Sequence, residues 1–471
     1  MDSAQFDFAI VGLGVMGSNL LLNLADHGYA VLGYDNNPDK TTALEKQALA
    51  NTKVKGVNTV HELVQLLKVP RKIMMLVPAG KPVDDVINNL SAFVEPGDII
   101  LDGGNSHFTD TLRRVETCKE KGLHFMGVGI SGGEEGARIG PSIMPGGNLE
   151  AYQYLRPLFE SIAAKVNGVP CVDYLGKGGA GHYVKMVHNG IEYSIMELIC
   201  ECYDVLKHVA GLTNEDLHTV FDNWNKGDLQ SFLVEITSYI FLQKDEETGK
   251  HVVDLILDKA GAKGTGKWTS QDALNIAVPI PSIDSAVTMR NLSSLKTQRI
   301  EAAKLYAKQG APQTTDQQAW INHVHDALLF GILMSYTQGL AMLQVASKEL
   351  NMDIPIKKVV NVWKGGCIIR SSLLALFDNV FEDDQDLPNL LLHPSIATVI
   401  QQSQQGARKV IVEAVTRGIP VGGLMASLNY FDAYTTERLP TNLLQAQRDF
   451  FGAHTYERSD KPGIFHTLWH K

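Results

Sequence analysis

A glycine-rich turn near the amino terminus constrains the fold of this chain more than any other feature. The segment Gly12-Leu-Gly14-Val-Met-Gly17 follows a short apolar run and opens a stretch of helical periodicity. Glycine there permits a tight turn, close approach of the backbone to a pyrophosphate, and close helix packing. Asp35 lies 23 residues after Gly12, at the end of the next apolar run, where its carboxylate can accept hydrogen bonds from a ribose diol. The pattern predicts a dinucleotide-binding unit; an incidental glycine turn is the alternative.

The first third of the chain alternates short apolar runs with segments of helical periodicity. Strands are predicted at residues 6–11, 29–34, 72–77, 99–101 and 124–128, and helices between them at, for example, residues 19–27 and 109–121. This alternation predicts a doubly wound, mainly parallel sheet. We therefore expect an α/β Rossmann-like domain over residues 1–178.

The remainder of the chain has long helical stretches and few strand signals. A chain of 471 residues is too long for one core, and we expect an all-helical domain over residues 179–434. Trp224 and Trp363, 139 residues apart, each follow a helical run, which is compatible with a duplicated helical unit or with coincidence. Residues 435–471 hold too few apolar residues for a core, so this tail must dock on something or remain disordered.

One helix of the second domain carries a polar stripe. Lys185, His188, Asn189 and Glu192 fall at i, i+3, i+4 and i+7, which places them in one sector about 100° wide. Apolar residues fill most of the remaining circumference, so we expect a helix that is buried on most sides and whose polar face needs partners. An amine and a carboxylate two turns apart can supply a base and an acid. The alternative is an ordinary solvated helix face.

Three further segments have the composition of ligand-binding loops. Leu101-Asp-Gly-Gly-Asn105-Ser and Ser131-Gly-Gly-Glu-Glu-Gly136 each come at the end of a predicted strand, where open parallel sheets bind ligands. Their hydroxyl, amide and backbone groups suit a polyhydroxylated substrate, although each segment could be a simple turn. Lys263-Gly-Thr265-Gly-Lys267 suits an anion such as phosphate.

Charge and cysteine usage exclude several classes of protein. A net charge of −10 argues against general binding to nucleic acid or to anionic membranes. The five cysteines form no CxxC pair, so neither a disulfide framework nor a metal site is indicated. The amino terminus lacks the pattern of a signal peptide, and no uninterrupted apolar run reaches membrane-spanning length. We expect a cytoplasmic protein.

Several longer motifs closely resemble those of the 6-phosphogluconate dehydrogenase family, from about residue 6 to the carboxyl terminus. They are GLGVMG, DGGNS, GISGGEEGA, GPSIMPGG, GAGHYVKMVHNGIEY, KGTGKW, GCIIR and NLLQAQRDFFGAHTYER. The resemblance implies NAD(P)-dependent oxidative decarboxylation of 6-phospho-D-gluconate to D-ribulose 5-phosphate and CO2, a step of the pentose phosphate pathway. It also implies a homodimer in which each tail inserts into the partner subunit. Another β-hydroxyacid dehydrogenase and a non-catalytic dinucleotide sensor are the alternatives.

The resemblance also implies roles for individual residues. Lys185 matches the general base of the family and Glu192 the general acid. Positions that match substrate contacts are Asn105, Ser131, Gly132, Gly133, His188, Asn189, Tyr193, Lys263, Thr265 and Arg290, with Arg448 and His454 supplied by the partner's tail. Expected cofactor contacts are Gly12, Leu13, Gly14, Val15, Met16, Gly17, Asp35, Asn36, Asn37, Val77, Pro78, Ala79 and Asn105. No metal is expected, because the Lys185 ammonium can serve as the electrophile.

One departure from the family bears on the dinucleotide. NADP-using members commonly place Asn-Arg-Ser/Thr after the second strand, whereas this chain has Asp35-Asn36-Asn37-Pro38. A 2′-phosphate about 4 Å from the Asp35 carboxylate would cost about 4 kcal/mol at an effective dielectric constant of about 20. Gly14 and Pro78 also replace the alanine and lysine common in those members. We therefore expect NAD to be preferred over NADP.

Overall fold

The computed structural model describes residues 5–306 and 316–469. Its first part is a sheet of seven strands in the order β3-β2-β1-β4-β5-β6-β7, in which only β7 runs antiparallel to its neighbour. The strands are β1 Phe8–Val11, β2 Val31–Tyr34, β3 Val54–Val57, β4 Lys72–Met75, β5 Ile99–Asp102, β6 His124–Ser131 and β7 Ser142–Gly147. The predicted α/β Rossmann-like fold is confirmed.

Helices cover both faces of this sheet. They are α1 Val15–Asp26, α2 Pro38–Gln47, α3 Val60–Leu66, α4 Lys81–Leu90, α5 Phe108–Glu120, α6 Gly133–Ile139 and α7 Leu149–Ile162, followed by a hairpin of β8 Lys165–Val166 and β9 Val169–Pro170. Alternate residues of β1 enter two separate cores, Phe8 and Ile10 on one face and Ala9 and Val11 on the other. Burial on both faces explains why the strands read as continuous apolar runs.

Two strands of the seven-stranded sheet, β3 and β7, were not predicted from the sequence. β3 is a short, half-buried strand at one edge, with the sequence VKGV. β7, at the other edge, contains Pro145, Gly146 and Gly147, residue types that are depleted in strands and that an edge position tolerates. Neither strand has the apolar alternation on which the prediction rested.

The second part of the chain is helical. It comprises α8 Ala180–His208, α9 Asn214–Trp224, α10 Phe232–Leu242, α11 Val252–Leu255, α12 Thr265–Asn275, α13 Pro281–Ser294, α14 Lys296–Leu305, α15 Gln317–Glu349, α16 Ile356–Trp363, α17 Leu373–Asp383, a 3-10 turn Leu390–Leu392, α18 Pro394–Arg417, α19 Gly422–Tyr434 and α20 Thr441–Gly452, with a final hairpin of β10 Tyr456–Glu457 and β11 Ile464–Phe465. The long helices α8 and α15 pack against each other at the centre of one large core.

The order of helices repeats after α15. Trp224 ends α9 and Trp363 ends α16, and each of these helices follows one of the two long central helices. Ser231 and Ser371 form an antiparallel bridge immediately before α10 and α17. The two tryptophans thus end corresponding helices of two similar three-helix segments, α8–α10 and α15–α17, while duplication of a whole unit stays a prediction.

The central helix α15 is long and apolar enough, by length and composition alone, to cross a membrane. However, 89% of its most apolar window is buried inside the protein, which is the usual situation of a core helix.

The tail folds around one buried carboxylate. Asp449 accepts hydrogen bonds from Thr455 N, Thr467 N, His466 Nδ1 and Trp469 Nε1, at 2.8–3.0 Å. These bonds join α20 to the strands of the last hairpin and to the chain that follows it. Several large apolar side chains of the tail remain exposed, among them Phe451 at 73%. The tail therefore has local order but leaves an apolar surface uncovered.

Candidate active site

Glycines of the sheet allow α8 to lie directly on it. A Cβ atom at Gly129 of β6 would lie 2.5 Å from Lys185 Cβ, and one at Gly146 of β7 would lie 2.2 Å from Gly181 N. The first turns of α8 therefore touch the backbone of both strands. As a result the polar stripe begins beside the carboxyl end of β6, the edge at which open sheets of this kind bind ligands.

Lys185 and Glu192 are both shifted toward their neutral forms. Lys185 is 7% exposed, and burial lowers the pKa of its amine although the Glu192 carboxylate opposes this shift. Burial raises the pKa of Glu192, against the opposing charges of Lys185 and Arg290. A neutral amine can accept a proton, and a protonated carboxyl can donate one. Lys185 is therefore suited to act as a base and Glu192 as an acid.

His188 lies between these two groups and is fully buried. Burial, reinforced by the Lys185 charge, holds the pKa of His188 well below its usual range. Its Nδ1 is 3.0 Å from Asn189 Oδ1 and its Nε2 is 3.4 Å from Ser131 Oγ. With its proton on Nδ1 the ring donates to Asn189 and accepts from Ser131, so we assign the neutral ring that tautomer.

The Lys263–Thr265 loop meets the stripe through α12. Asn189 Nδ2 donates to Thr265 Oγ1 at 3.1 Å, and Thr269 Oγ1 donates to Met186 O at 2.9 Å. A Cβ at Gly190 would lie 2.7 Å from Thr269 Cγ2, so glycine at this position permits the close approach of α8 and α12. Thr265 is buried and Lys263 is exposed.

Tyr193 and Arg290 form the far end of the site. The guanidinium carbon of Arg290 lies 3.4 Å from the centroid of the buried Tyr193 ring, and Lys263 N donates to Tyr193 OH at 3.4 Å. A cation stacked at this distance is stabilised by the ring quadrupole. Arg290 Nη1 also donates to Gly261 O at 3.2 Å, which ties the guanidinium to the chain just before Lys263. Burial raises the pKa of Glu197, a residue that the sequence did not indicate, and the charge of Arg290 opposes that rise.

The turn at Ser131–Gly133 closes the site against a loop of the helical part. Ser131 is buried at the end of β6, while Gly132 and Gly133 have φ values of 132° and 66°, a region that favours glycine. A Cβ at Gly132 would lie 2.6 Å from Gly366 O. The segment GCIIR, which begins at Gly366, thus has a packing role behind this turn that its sequence did not reveal.

Asn105 lies on the turn after β5 and is exposed. The turn is held by Asp102, whose carboxylate accepts from Ser106 Oγ at 2.6 Å and from Gly104 N at 3.0 Å. His182 Nε2 lies 3.0 Å from Asp102 O and connects the turn to α8, one turn before Lys185. Asn105 is therefore positioned at the same edge of the sheet as the stripe.

The glycine turn has the geometry that a dinucleotide needs. A Cβ at Gly12 would lie 2.5 Å from Leu76 O, and one at Gly17 would lie 1.9 Å from Gly12 O. No described atom lies within 4 Å of a Cβ placed at Gly14, and among the described residues no side chain caps the first turn of α1. The N–H groups of Val15, Met16 and Gly17 are thus available to a pyrophosphate.

The end of β2 carries a charged pair. Asp35 Oδ2 accepts from Leu13 N at 2.8 Å and from Lys40 Nζ at 3.1 Å, and Oδ1 accepts from Asn37 N at 3.0 Å. Burial raises the pKa of Asp35, but these hydrogen bonds outweigh it and the net pKa is lowered. The carboxylate is therefore ionised, and the Lys40 ammonium offsets part of its charge. Asn36 is exposed beside it.

The turn after β4 completes the cofactor face. A Cβ at Gly12 would lie 3.0 Å from Val77 Cγ1, so this turn touches the glycine turn. Pro78 and Ala79 are exposed at its tip. The turns that follow β1, β2, β4 and β5 thus meet along one edge, which fits the extended shape of a dinucleotide.

Arg448 and His454 are the two predicted site residues that the described chain does not bring to the stripe. Arg448 donates to Gln445 Oε1 of its own helix at 3.0 Å, and the His454 ring packs on Phe451. Both side chains are exposed. Their expected role at the site of a partner subunit stays a prediction.

Among the described residues, no group of three or more His, Cys, Asp or Glu side chains could hold a metal ion. A cavity of about 680 Å³ lies elsewhere, between the β8–β9 hairpin and α10, α16 and α17, and its lining contains none of the predicted site residues. The polar stripe is therefore not part of this cavity.

Two family models match the chain. "NAD binding domain of 6-phosphogluconate dehydrogenase" matches residues 7–176, and "6-phosphogluconate dehydrogenase, C-terminal domain" matches residues 181–469. The chain belongs to the 6-phosphogluconate dehydrogenase family.

Members of the family with similar sequences include proteins from Bacillus subtilis and Synechocystis. The former, a "6-phosphogluconate dehydrogenase, NADP(+)-dependent, decarboxylating", is 48% identical over 98% of both chains. The latter, a "6-phosphogluconate dehydrogenase, decarboxylating", is 49% identical over 98% of this chain and 97% of its own. A solved structure of Plasmodium falciparum 6-phosphogluconate dehydrogenase, from a study of its apo form and its NADP+ and 6-phosphogluconate complexes, matches with a TM-score of 0.95. It is 42% identical and covers 98% of this chain and 100% of its own.

Membership of the 6-phosphogluconate dehydrogenase family confirms the family resemblance and the presence of a domain for NAD(P). The expected preference for NAD is not confirmed, and the two relatives whose descriptions name a dinucleotide are associated with NADP. The roles assigned to individual residues remain predictions.

Proposed function

We propose that this chain catalyses the oxidative decarboxylation of 6-phospho-D-gluconate to D-ribulose 5-phosphate and CO2, with reduction of NAD(P)+. The observation that carries the proposal is the pair Lys185 and Glu192, which lie two turns apart on a buried helix with their pKa values shifted toward the neutral forms. The pair supplies a base and an acid on one face, beside a dinucleotide fold. A non-catalytic sensor would need neither group, and a dehydrogenase for an unphosphorylated acid would have little need of Arg290 and the Lys263 loop.

Lys185 acts first as the base. Its neutral amine takes the proton from the C3 hydroxyl of the substrate while C3 loses a hydride. When bound, the nicotinamide ring accepts that hydride. The oxidised substrate is a 3-keto acid, whose carboxylate lies β to the new carbonyl and can leave as CO2.

Lys185 then stabilises the developing negative charge. Its ammonium, formed in the first step, donates a hydrogen bond to the C3 oxygen as the electron pair of the breaking C1–C2 bond is delocalised into an enolate. Glu192 subsequently protonates the resulting enediol at the carbon that lost CO2, while Lys185 takes back the proton of the C3 hydroxyl to form the ketone. The neutral His188 orients a substrate hydroxyl between the two groups when that hydroxyl replaces Ser131 Oγ as the partner of Nε2.

The far end of the stripe holds the phosphate. Arg290, stacked on Tyr193, and the exposed Lys263 supply positive charge, and Thr265 supplies a hydroxyl. Asn189 and Asn105 contact the sugar chain, and the backbone N–H groups of Gly132 and Gly133 suit the carboxylate. These assignments give an anionic substrate a positive site within a protein of net charge −10.

NAD is the preferred dinucleotide under this proposal. The ionised Asp35 lies at the end of β2, beside Asn36 and Asn37 rather than an arginine. A 2′-phosphate would be repelled by this carboxylate, whereas the ribose diol of NAD can donate to it. Lys40 reduces the repulsion without removing it, since its ammonium is already paired with Asp35.

The protein acts as a homodimer with shared sites under the same proposal. The tail exposes Phe451, Leu443 and Leu468 at 73%, 63% and 74%, a surface that insertion into a partner subunit would cover. Insertion would bring Arg448 and His454 to the partner's phosphate site. The corresponding division of the chain is residues 1–178, 179–434 and 435–471, and the protein is placed in the cytoplasm.

The test is an absorbance assay at the wavelength of the reduced dinucleotide, coupled to detection of CO2. Purified protein with 6-phosphogluconate should reduce NAD+ or NADP+ and release one CO2 for each dinucleotide. Lys185→Ala should abolish both signals while leaving dinucleotide binding intact. Absence of reduction with both dinucleotides would reject the proposal, and reduction without CO2 would point to another β-hydroxyacid dehydrogenase.

A further inference from the structure

One buried cation joins the turn after β4 to the turn after β5. Arg114 of α5 is 1% exposed. Its Nη2 donates to Gly80 O at 2.9 Å, its Nη1 to Asp102 Oδ2 and Ser106 Oγ, both at 3.3 Å, and its Nε to Asp84 Oδ1 at 2.8 Å. The guanidinium thus contacts the turn after β4, the turn after β5 and the first turn of α4.

The contacts fall directly beside the predicted cofactor residues. Gly80 follows Ala79, at the end of the turn after β4, and Asp102 and Ser106 enclose Asn105 on the turn after β5. β4 and β5 are paired in parallel, so the two turns leave the sheet side by side. Arg114 spans the space between them and determines how far apart their tips lie.

The chemistry of arginine suits this position better than that of any other side chain. A planar guanidinium donates in several fixed directions at once, while a lysine ammonium is a single point charge. The charge is compensated by Asp84 and the buried Asp102, so removal of Arg114 would leave a buried carboxylate without its cation. A lysine at this position can bind one of these partners but cannot donate hydrogen bonds to both turns at once.

We propose that Arg114 is a positioning residue for the dinucleotide, which holds the turns after β4 and β5 at the separation that the nicotinamide half of the cofactor requires. The proposal rests on the proposed function only in that those turns are assigned to the cofactor. Arg114 itself is too deeply buried to touch a ligand, and it acts through Ala79 and Asn105.

The experiment compares Arg114→Lys with the wild-type protein. We expect the Kd of the reduced dinucleotide, measured by its fluorescence without substrate, to rise about tenfold because both turns shift. The Kd of 6-phosphogluconate alone should change less than about threefold, because Asn105 is the one predicted substrate contact that lies on either of these turns. Measuring the dinucleotide alone keeps the test valid even if the proposed reaction is wrong.

The neighbouring Arg113 provides a matched control. It pairs with the same Asp84 at 3.0 Å, but its side chain is 53% exposed and its other ion-pair partner is the exposed Asp110. Arg113→Lys should leave both Kd values and the thermal stability unchanged. Equal losses in Arg113→Lys and Arg114→Lys would overturn the proposal, as would a correctly folded Arg114→Lys that binds dinucleotide within about twofold of wild type.

Two further measurements separate positioning from general destabilisation. In Arg114→Ala, millimolar guanidinium should fill the vacated space and restore dinucleotide affinity, and should have no such effect on Arg113→Ala. Ser106→Ala removes only one hydroxyl from the cluster and serves if the arginine variants do not fold; it should raise the dinucleotide Kd about threefold. An unchanged Kd in Ser106→Ala together with no guanidinium rescue would refute the role of this cluster.

Discussion

Gly129 on β6 and Lys185 on α8 occupy adjoining space, such that a Cβ at position 129 would lie 2.5 Å from Lys185 Cβ and 3.0 Å from its Cγ. The side chain of the predicted base, Lys185, therefore packs directly against the backbone of β6. The geometry of its amine depends on a residue that has no side chain.

Gly129→Ala should reduce kcat strongly while the protein still folds. The added methyl group displaces the Lys185 side chain, and a shift of about 1 Å at a reacting group can cost about 100-fold in rate. Steady-state kinetics and circular dichroism check this. Gly227→Ala is the control, because the nearest described atom, Trp224 O, is 3.8 Å from its Cβ; comparable kcat values for the two variants would contradict the prediction.

The pH dependence of kcat/KM should reflect Lys185 and Glu192. Lys185 acts without its proton, so activity should rise with pH through its pKa, which burial places below the usual 10.5. Glu192 acts with its proton, so activity should fall as pH rises through its pKa, which burial places above 4.5. Glu192→Gln should lose about 100-fold or more in activity. Its residual kcat/KM should no longer show the basic limb, the fall in activity at high pH. An unaltered basic limb would assign the acid to another group.

Glu201 should make stability depend on pH. Its buried carboxylate accepts from Gly423 N and Leu424 N at the start of α19, yet burial raises its pKa to about 8 from 4.5. The folded protein thus binds more protons than the unfolded chain between these pH values, so this group makes stability fall as pH rises from about 4.5 to 8. The slope is at most about 1.4 kcal/mol for each pH unit.

Denaturant unfolding of wild type and Glu201→Gln at pH 5 and pH 8 measures this contribution. The variant should lose about 1 kcal/mol at pH 5, because its amide accepts fewer hydrogen bonds, and should show a smaller decline toward pH 8. Parallel declines in the two proteins would show that Glu201 does not titrate in this range.

Lys40→Met should strengthen the preference for NAD. The ammonium of Lys40 lies 3.1 Å from Asp35 Oδ2, so its loss leaves the carboxylate charge uncompensated. The ratio of kcat/KM for NAD to that for NADP should rise about fivefold, since the pair is partly exposed to solvent. Asp35→Asn combined with Asn36→Arg should shift the ratio the other way. A wild-type kcat/KM at least about tenfold higher with NADP would reject the preference itself.

Mixed dimers test whether sites are shared. Lys185→Ala and Arg448→Ala are each expected to be inactive alone. A dimer that combines them contains one site with both intact residues if the tails are exchanged, and none if each subunit uses its own tail. Random reassociation of equal amounts should then restore about a quarter of wild-type activity. No recovery in verified mixed dimers would contradict the shared site.

Much of the site was predictable because local spacing determines it. The seven-residue interval from Lys185 to Glu192 places both residues on one face of any α-helix. Gly12, Gly17 and Asp35 have local roles that any βαβ unit of this length preserves.

The edge strand β7 was missed because its proline and glycines oppose strand formation locally, and it is stabilised by its pairing with β6. The sequence around Arg114 did not indicate its role, since its hydrogen-bond partners, Gly80, Asp84, Asp102 and Ser106, lie in other segments of the chain.

By itself, the sequence determined the α/β class of the first domain, the helical character of the second, the composition of the polar stripe and the family to which the chain belongs. Only the tertiary structure decided the chemical state of those residues. Burial in the assembled core lowers the pKa of Lys185 and raises that of Glu192, and the contact of Lys185 with Gly129 of β6 is part of that burial. Helical spacing is set by residues that are close in the chain. Burial depends on contacts between residues that are far apart in the chain, so the pKa shifts caused by desolvation arise only in the folded protein.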